Sequence, residues 1–140
     1  MGTREAGQQE MKAFLSRAGI PETEYHLVDG SGLSRLTLAT PAAFTKLLVY
    51  MYRSRHREQW MSLLPIAGVD GTLRHRFDGH PEARAIQAKT GSLSHVRALS
   101  GYALSAEHGE VAFSIMINNS LATGHDISAF LDTIGLKLIE

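Results

Sequence analysis

The chain has 140 residues, 44% of them apolar, and a formal net charge of zero. That length and composition suit one globular domain or part of one, and the balanced charge argues against a nucleic-acid surface, which needs an excess of lysine and arginine. The absence of cysteine excludes disulfides, thiolate metal sites and a cysteine nucleophile, but does not settle the compartment.

No run of about 18 apolar residues exists, so no transmembrane segment is expected. The opening residues, Met1 to Ala6, lack the apolar core of a signal peptide. If a parent protein is exported, its signal is expected outside these residues.

Residues Arg4 to Ala18 read as a helix, with Met11, Phe14, Leu15 and Ala18 on one face and Gly19 and Pro21 as its stop. Tyr25 to Val28 reads as a short strand running into Asp29-Gly30-Ser31-Gly32-Leu33-Ser34-Arg35. A strand followed by glycines suggests a dinucleotide loop, but Arg35 stands where the third glycine belongs and no helix pattern follows directly. The stretch fits better as a constrained loop whose serines and glycines face a cleft.

Thr40-Pro41 opens the clearest helix, with Thr40 as cap and Pro41 in the first turn. Phe44, Leu47, Leu48 and Met51 are its expected buried stripe. Arg53, Arg55, His56, Arg57 and Glu58 read as a solvated helix end, where cations suit the dipole. Trp60 to Pro65 suggests one helical turn, and Val69 to Thr72 a turn. His75, Asp78, His80 and Glu82 follow no familiar zinc spacing, so they read as a polar loop rather than a metal site, and neither metal nor cofactor is expected.

Ala85 to Ala88 is an apolar strand that runs into Lys89-Thr90-Gly91-Ser92. One ammonium, two hydroxyls and a glycine at a strand end suit an anionic or carbonyl-bearing ligand. The lysine supplies charge, the hydroxyls directional hydrogen bonds and the strand edge backbone N–H groups. Lys-Thr-Gly is also one of three motifs of penicillin-binding proteins and serine β-lactamases, although a tripeptide alone is a weak signal. Val96 to Ser105 and Glu110 to Asn118 read as two more strands, joined by a glycine-containing hairpin loop. Both faces of Glu110–Asn118 are mostly apolar, which predicts burial on two sides. A helix from about Asp126 to Leu138 closes the chain, its stripe Ile127, Phe130, Leu131, Ile134 and Leu138 expected to cover one face of the sheet. The pieces add up to an α/β (α+β) unit with a three-stranded antiparallel meander covered by helices.

The order of segments gives more. Val28-Asp29-Gly30-Ser31-Gly32-Leu33-Ser34-Arg35, the Thr-Pro helix start, Leu64-Pro65-Ile66-Ala67-Gly68-Val69-Asp70-Gly71-Thr72-Leu73, Ala88-Lys89-Thr90-Gly91-Ser92-Leu93, and Leu99-Ser100-Gly101-Tyr102 with Ala112-Phe113-Ser114-Ile115 follow one another along nearly the whole chain. This set resembles the C-terminal portion of the D-alanyl-D-alanine carboxypeptidase/endopeptidase family, low-molecular-mass penicillin-binding proteins with an inserted domain. The resemblance implies the C-terminal part of the serine β-lactamase/transpeptidase-like fold, with residues 1–140 forming a single partial domain. It also implies a serine peptidase that hydrolyses D-Ala-D-Ala in peptidoglycan stem peptides, or is acylated by β-lactams, in the periplasm or another extracytoplasmic space. Lys89 would supply charge for proton transfer and for the substrate carboxylate, Thr90 and Ser92 would hydrogen-bond that carboxylate beside Gly91, and the Ser92 backbone N–H would be half of an oxyanion hole. Ser31, Gly32 and Leu33 would line the cleft.

The departure from the family pattern is large. No serine here has a lysine three residues later, and no Ser-x-Asn occurs, since Met116 and Ile117 precede Asn118 and Asn119 by two. The nucleophile and two of the family's five sheet strands are therefore expected in an N-terminal portion of the same protein, which makes that portion a partner. The chain alone is expected to be inactive, as a fragment or truncated product, with the Glu110–Asn118 strand lacking its usual neighbour. The alternatives are a non-catalytic domain that binds peptidoglycan peptides through the Lys89 strand, and a generic α/β domain with chance motifs.

Overall fold

The computed structural model describes residues 2–140. Helix α1 (Arg4–Arg17) is capped by the Thr3 hydroxyl, which accepts from the Ala6 N–H. It ends where Gly19 takes a positive φ of 75°, a conformation with no steric penalty for glycine. Two short strands follow, β1 (Tyr25–His26) and β2 (Leu38–Ala39), paired antiparallel across the Asp29–Arg35 loop. The strand expected over Tyr25 to Val28 is thus half as long, and β2 has no counterpart in the sequence reading. The reason is local: from Val28 onward the backbone is tied up by side chains, with Gln8 Nε2 and Arg4 Nη2 donating to the Val28 carbonyl and Thr37 Oγ1 accepting from its N–H.

Helix α2 (Pro41–Tyr52) starts as its sequence predicts, with Thr40 Oγ1 accepting from the Ala43 N–H. Its inner face is Ala43 and Leu48, whereas Phe44, expected inside, is 38% exposed. The basic cluster after it is more than a solvated end. Arg57 opens helix α3 (Arg57–Ser62), lays its guanidinium 3.7 Å from the centre of the Tyr52 ring, and reaches Glu110 at 3.1 Å.

Strands β3 (Ile86–Leu93), β4 (Val96–Ser105) and β5 (Gly109–Asn118) form the expected meander in the order β3-β4-β5. Helix α4 (Gly124–Ile139), capped by Thr123, lays Ile127 and Leu131 against one face. The main core gathers Leu73, Phe77, Ile86, Leu99, Phe113 and these two residues. On the opposite face a smaller cluster joins Leu48, Leu64 and Tyr102. Expected double burial of β5 holds only for Phe113; Val111, Ile115, Met116 and Ile117 are half-buried. The strand is an edge among the described residues, so its outer flank has no neighbour there.

The segment between α3 and β3 is tied to both sheet and helix. Arg76 Nε lies 2.9 Å from both carboxylate oxygens of Asp132 on α4, and both side chains are largely buried. Phe77 holds a φ of 58°, unusual for a bulky residue, with its buried ring against Gly135. A methyl group at Gly135 would lie 2.9 Å from that ring, so glycine in mid-helix lets the loop dock.

Candidate active site

Strand β3 carries the Lys89–Ser92 stretch, and among the described residues one end of its outer edge is covered and the other is free. Pro65 to Ala67 pairs with the first half: the Ala67 N–H donates to the Ile86 carbonyl and the Ala88 N–H to the Pro65 carbonyl. In an antiparallel ladder successive residues point their amides to alternate sides. Since Ala88 directs its N–H away from β4, Thr90 and Ser92 direct theirs the same way, onto the uncovered stretch. Two glycines shape the pairing: Gly91 faces Ala98, whose methyl would stand 3.3 Å from an added Cβ, and a Cβ on Gly101 would fall 2.5 Å from Ala88 Cα. Gly101 is what lets β3 and β4 approach, while a side chain in place of Gly91 would ask Ala98 to give by only a few tenths of an ångström.

Side chains alternate as well. Thr90 and Ser92 share the face of Ile86 and Ala88, while Lys89 and Gly91 lie on the other, with Gln87. The ammonium and the two hydroxyls, expected as one cluster, therefore stand on opposite faces and meet only across the edge. There the exposed Lys89 Nζ donates to the outward carbonyl of Thr90 at 2.8 Å. Thr90 Oγ1 is 2.9 Å from Thr72 Oγ1, which comes from the short 3₁₀ turn Gly71–Leu73. Ser92 is exposed. The edge thus offers the N–H groups of Thr90 and Ser92, the Ser92 carbonyl, two hydroxyls and one ammonium within four consecutive residues of the strand. That is a donor-rich surface suited to a carboxylate and a polarised carbonyl.

The second predicted group stands apart. Ser31, Gly32 and Leu33 form the tip of the β1–β2 loop, all exposed, with Leu33 72% accessible. Asp29 shapes the tip: its carboxylate accepts from the Ser31 N–H at 2.9 Å and the Ser31 hydroxyl at 2.8 Å, and these bonds hold its pKa below the usual carboxylate value. Gly32 turns the chain with a φ of 71°. Among the described residues no hydrogen bond joins this tip to β3. The sequence reading did not place Thr72 beside Thr90: neither the Asp70-Gly71-Thr72 turn nor the Leu64–Leu73 segment around it says which strand the turn folds onto.

A profile of the family described as "D-Ala-D-Ala carboxypeptidase 3 (S13) family" matches residues 1–137. The chain belongs to this family. Over 144 residues it is 38% identical to a D-alanyl-D-alanine carboxypeptidase of an Actinomadura species, and over 145 residues 36% identical to penicillin-sensitive carboxypeptidase A of Dictyostelium discoideum. Each alignment takes in 99% of this chain but only 26% and 27% of the relative, so the chain spans about a quarter of those proteins. The crystal structure of penicillin-binding protein 4 from Haemophilus influenzae, complexed with a β-lactam, superposes with a TM-score of 0.86 at 31% identity, over 99% of this chain and 34% of that one. A predatory endopeptidase from Bdellovibrio bacteriovorus, in complex with an immunity protein, shares the fold alone: its TM-score is 0.78 at 19% identity. The carboxypeptidase family and its transpeptidase-like fold, expected from the order of motifs, are thereby established. Among the described residues no helix is long and apolar enough to cross a membrane, and no group of three or more histidine, aspartate or glutamate side chains is placed to hold a metal ion.

Proposed function

We propose that these residues form the Lys-Thr-Gly wall of a serine-type D-Ala-D-Ala carboxypeptidase acting on peptidoglycan stem peptides outside the cytoplasm. They act with an N-terminal portion of the same protein that brings the Ser-x-x-Lys nucleophile and the Ser-x-Asn motif. The observation that carries this reading is the half-free edge of β3, with the Ser92 N–H directed outward, in a chain of this family.

In this reading the substrate lies along the free edge. Its scissile carbonyl accepts from the Ser92 N–H, and the charge that develops on that oxygen in the transition state strengthens the bond, the general way an oxyanion hole lowers a barrier by about 3 kcal/mol per donor. The hydroxyls of Thr90 and Ser92 hold the terminal carboxylate. Lys89 adds positive charge that favours both the carboxylate and proton transfer at the serine. Gly91 keeps the strand flat enough for close approach, and Ser31, Gly32 and Leu33 border the substrate on the far side. The enzyme is acylated at the missing serine and water releases the product. A β-lactam reacts in the same place because its ring carbonyl and carboxylate mimic those of the dipeptide.

Exposure to a fluorescent penicillin tests this. The 140 residues alone should take up no covalent label, whereas a polypeptide that continues upstream through Ser-x-x-Lys should be labelled, and changing Lys89 to Ala should cut its labelling rate by about two orders of magnitude or more. Covalent labelling of the 140 residues alone would overturn the division of the site, and an unlabelled longer protein would overturn the reading. The second reading, a non-catalytic module for peptidoglycan peptides, draws on the lack of any Ser-x-x-Lys here. It requires reversible D-Ala-D-Ala peptide affinity in the 140 residues that Lys89→Ala weakens.

A further inference from the structure

We infer that Thr72 is a positioning residue that aims the hydroxyl proton of Thr90 at the substrate carboxylate. The inference rests on the proposed carboxypeptidase reading and adds a residue to it.

The geometry starts with the pairing of two hydroxyls, Thr90 Oγ1 and Thr72 Oγ1, at 2.9 Å. A hydroxyl has one proton and two lone pairs. If Thr90 gives its proton to Thr72, it presents only lone pairs to the free edge and repels a carboxylate. If Thr72 donates instead, the proton of Thr90 is released outward and its own lone pair is satisfied behind. In the structure Thr90 is the donor and Thr72 the acceptor, and an arriving carboxylate draws the Thr90 proton outward by rotation of the two hydroxyls about their C–O bonds, with no movement of the backbone. Thr72 serves this role only if it is held in place, and the structure holds it from two sides. On one side the Gly71–Leu73 turn is wedged against Pro65: a Cβ on Gly71 would lie 2.7 Å from the proline ring, Asp70 Oδ1 accepts from the Ile66 N–H at 2.8 Å, and Pro65 itself is bonded to β3. On the other, Leu73 is fully buried and the next residues are fastened to α4 through Arg76–Asp132 and Phe77. Thr72 is exposed on the surface of this braced turn, so its hydroxyl is held beside Thr90 without being part of the core.

The test uses the full-length protein that contains these residues, with Thr72→Val, which keeps the shape and removes the hydroxyl, and Thr72→Ser, which restores it. Acylation is measured with benzylpenicillin and with its methyl ester, whose carboxylate is blocked. Thr72→Val should slow acylation by the free acid about ten-fold, the size of one hydrogen bond to a charged group, and leave the ester rate unchanged; Thr72→Ser should recover the free-acid rate. In a Thr90→Val background Thr72→Val should have no further effect. Equal slowing with acid and ester, or no slowing with either, would overturn the inference while leaving the carboxypeptidase reading intact. Crystal structures of the two Thr72 variants supply a measurement that needs no activity: Thr90 should keep one side-chain rotamer with serine at 72 and occupy several with valine. A single unchanged rotamer in the valine variant would overturn the inference even if the wild-type protein reacted with no penicillin and the carboxypeptidase reading fell.

Discussion

Asp29 illustrates how one carboxylate fixes a loop that has no core of its own. It takes two hydrogen bonds from Ser31, one from the hydroxyl and one from the backbone, and these favour its charged form. Its pKa in the folded protein is therefore lowered from the ordinary 3.8, chiefly by the Ser31 hydroxyl. A depressed carboxylate stabilises the fold above its unfolded pKa, and the contribution is lost as pH falls through the folded value. The loop tip should thus stay ordered down through pH 3.8 and loosen only below it. A carbon-detected NMR titration checks this: the Asp29 midpoint should lie below 3.8 and move upward in Ser31→Ala. A midpoint at or above 3.8 in the unaltered protein would mean that the turn is not held as described.

Elements meet on the α2 side of the sheet through one tyrosine. Tyr102 on β4 is 3% exposed; its hydroxyl donates to the Leu48 carbonyl of α2 at 2.7 Å and accepts from Trp60 Nε1 of α3 at 2.9 Å. Burial raises its pKa above the usual phenol value, so it stays a neutral donor. One oxygen thereby satisfies a buried carbonyl on one helix and a half-buried indole N–H on another. Tyr102→Phe keeps the ring and leaves both groups unpaired, which should cost about 1–3 kcal/mol. Urea unfolding should show this as a lower midpoint with an unchanged slope, while a change within about 0.5 kcal/mol would mean that water replaces the hydroxyl. The legible part of the fold was of this regular kind. The Thr-Pro helix start, the apolar run of β5 and the stripe of α4 each leave a local mark in the sequence, although Phe130 of that stripe is 56% exposed and β5 is only half-buried outside Phe113. The β1–β2 pair and the Arg57–Tyr52–Glu110 contact carry none. Two-residue strands are too short to show alternation, and Arg57 reaches a residue more than fifty positions away. At the candidate site, the residue types of the Lys89–Ser92 stretch are read directly from the sequence. That its ammonium and hydroxyls fall on opposite faces follows from strand alternation, yet the outward aim of the Ser92 N–H depends on the β3–β4 register, and its freedom on Pro65–Ala67 stopping at Ala88, neither of which a local pattern announces.

For the whole molecule, the sheet has two different flanks. At β3 the flank is half covered by Pro65–Ala67, whereas β5 presents Val111, Ile115, Met116 and Ile117, all half-buried, beside an unpaired row of backbone groups among the described residues. Such a long apolar edge recruits other strands. The 140 residues, prepared by themselves, should therefore associate as concentration rises in sedimentation experiments, and a lysine in place of Met116 should suppress it. A monomer independent of concentration would show that the flank is shielded in solution.

The stub formed by Pro65–Ala67 also works as a ruler. It occupies the edge up to Ala88, and the hairpin after Leu93 closes the other end, so two outward N–H groups remain, about 7 Å apart. The Thr90 carbonyl between them is already taken by Lys89. A strand added here has room for about two residues before one end of it runs into Pro65. Any strand laid along this edge therefore bonds to β3 through about two residues, and the rest of it must leave the sheet.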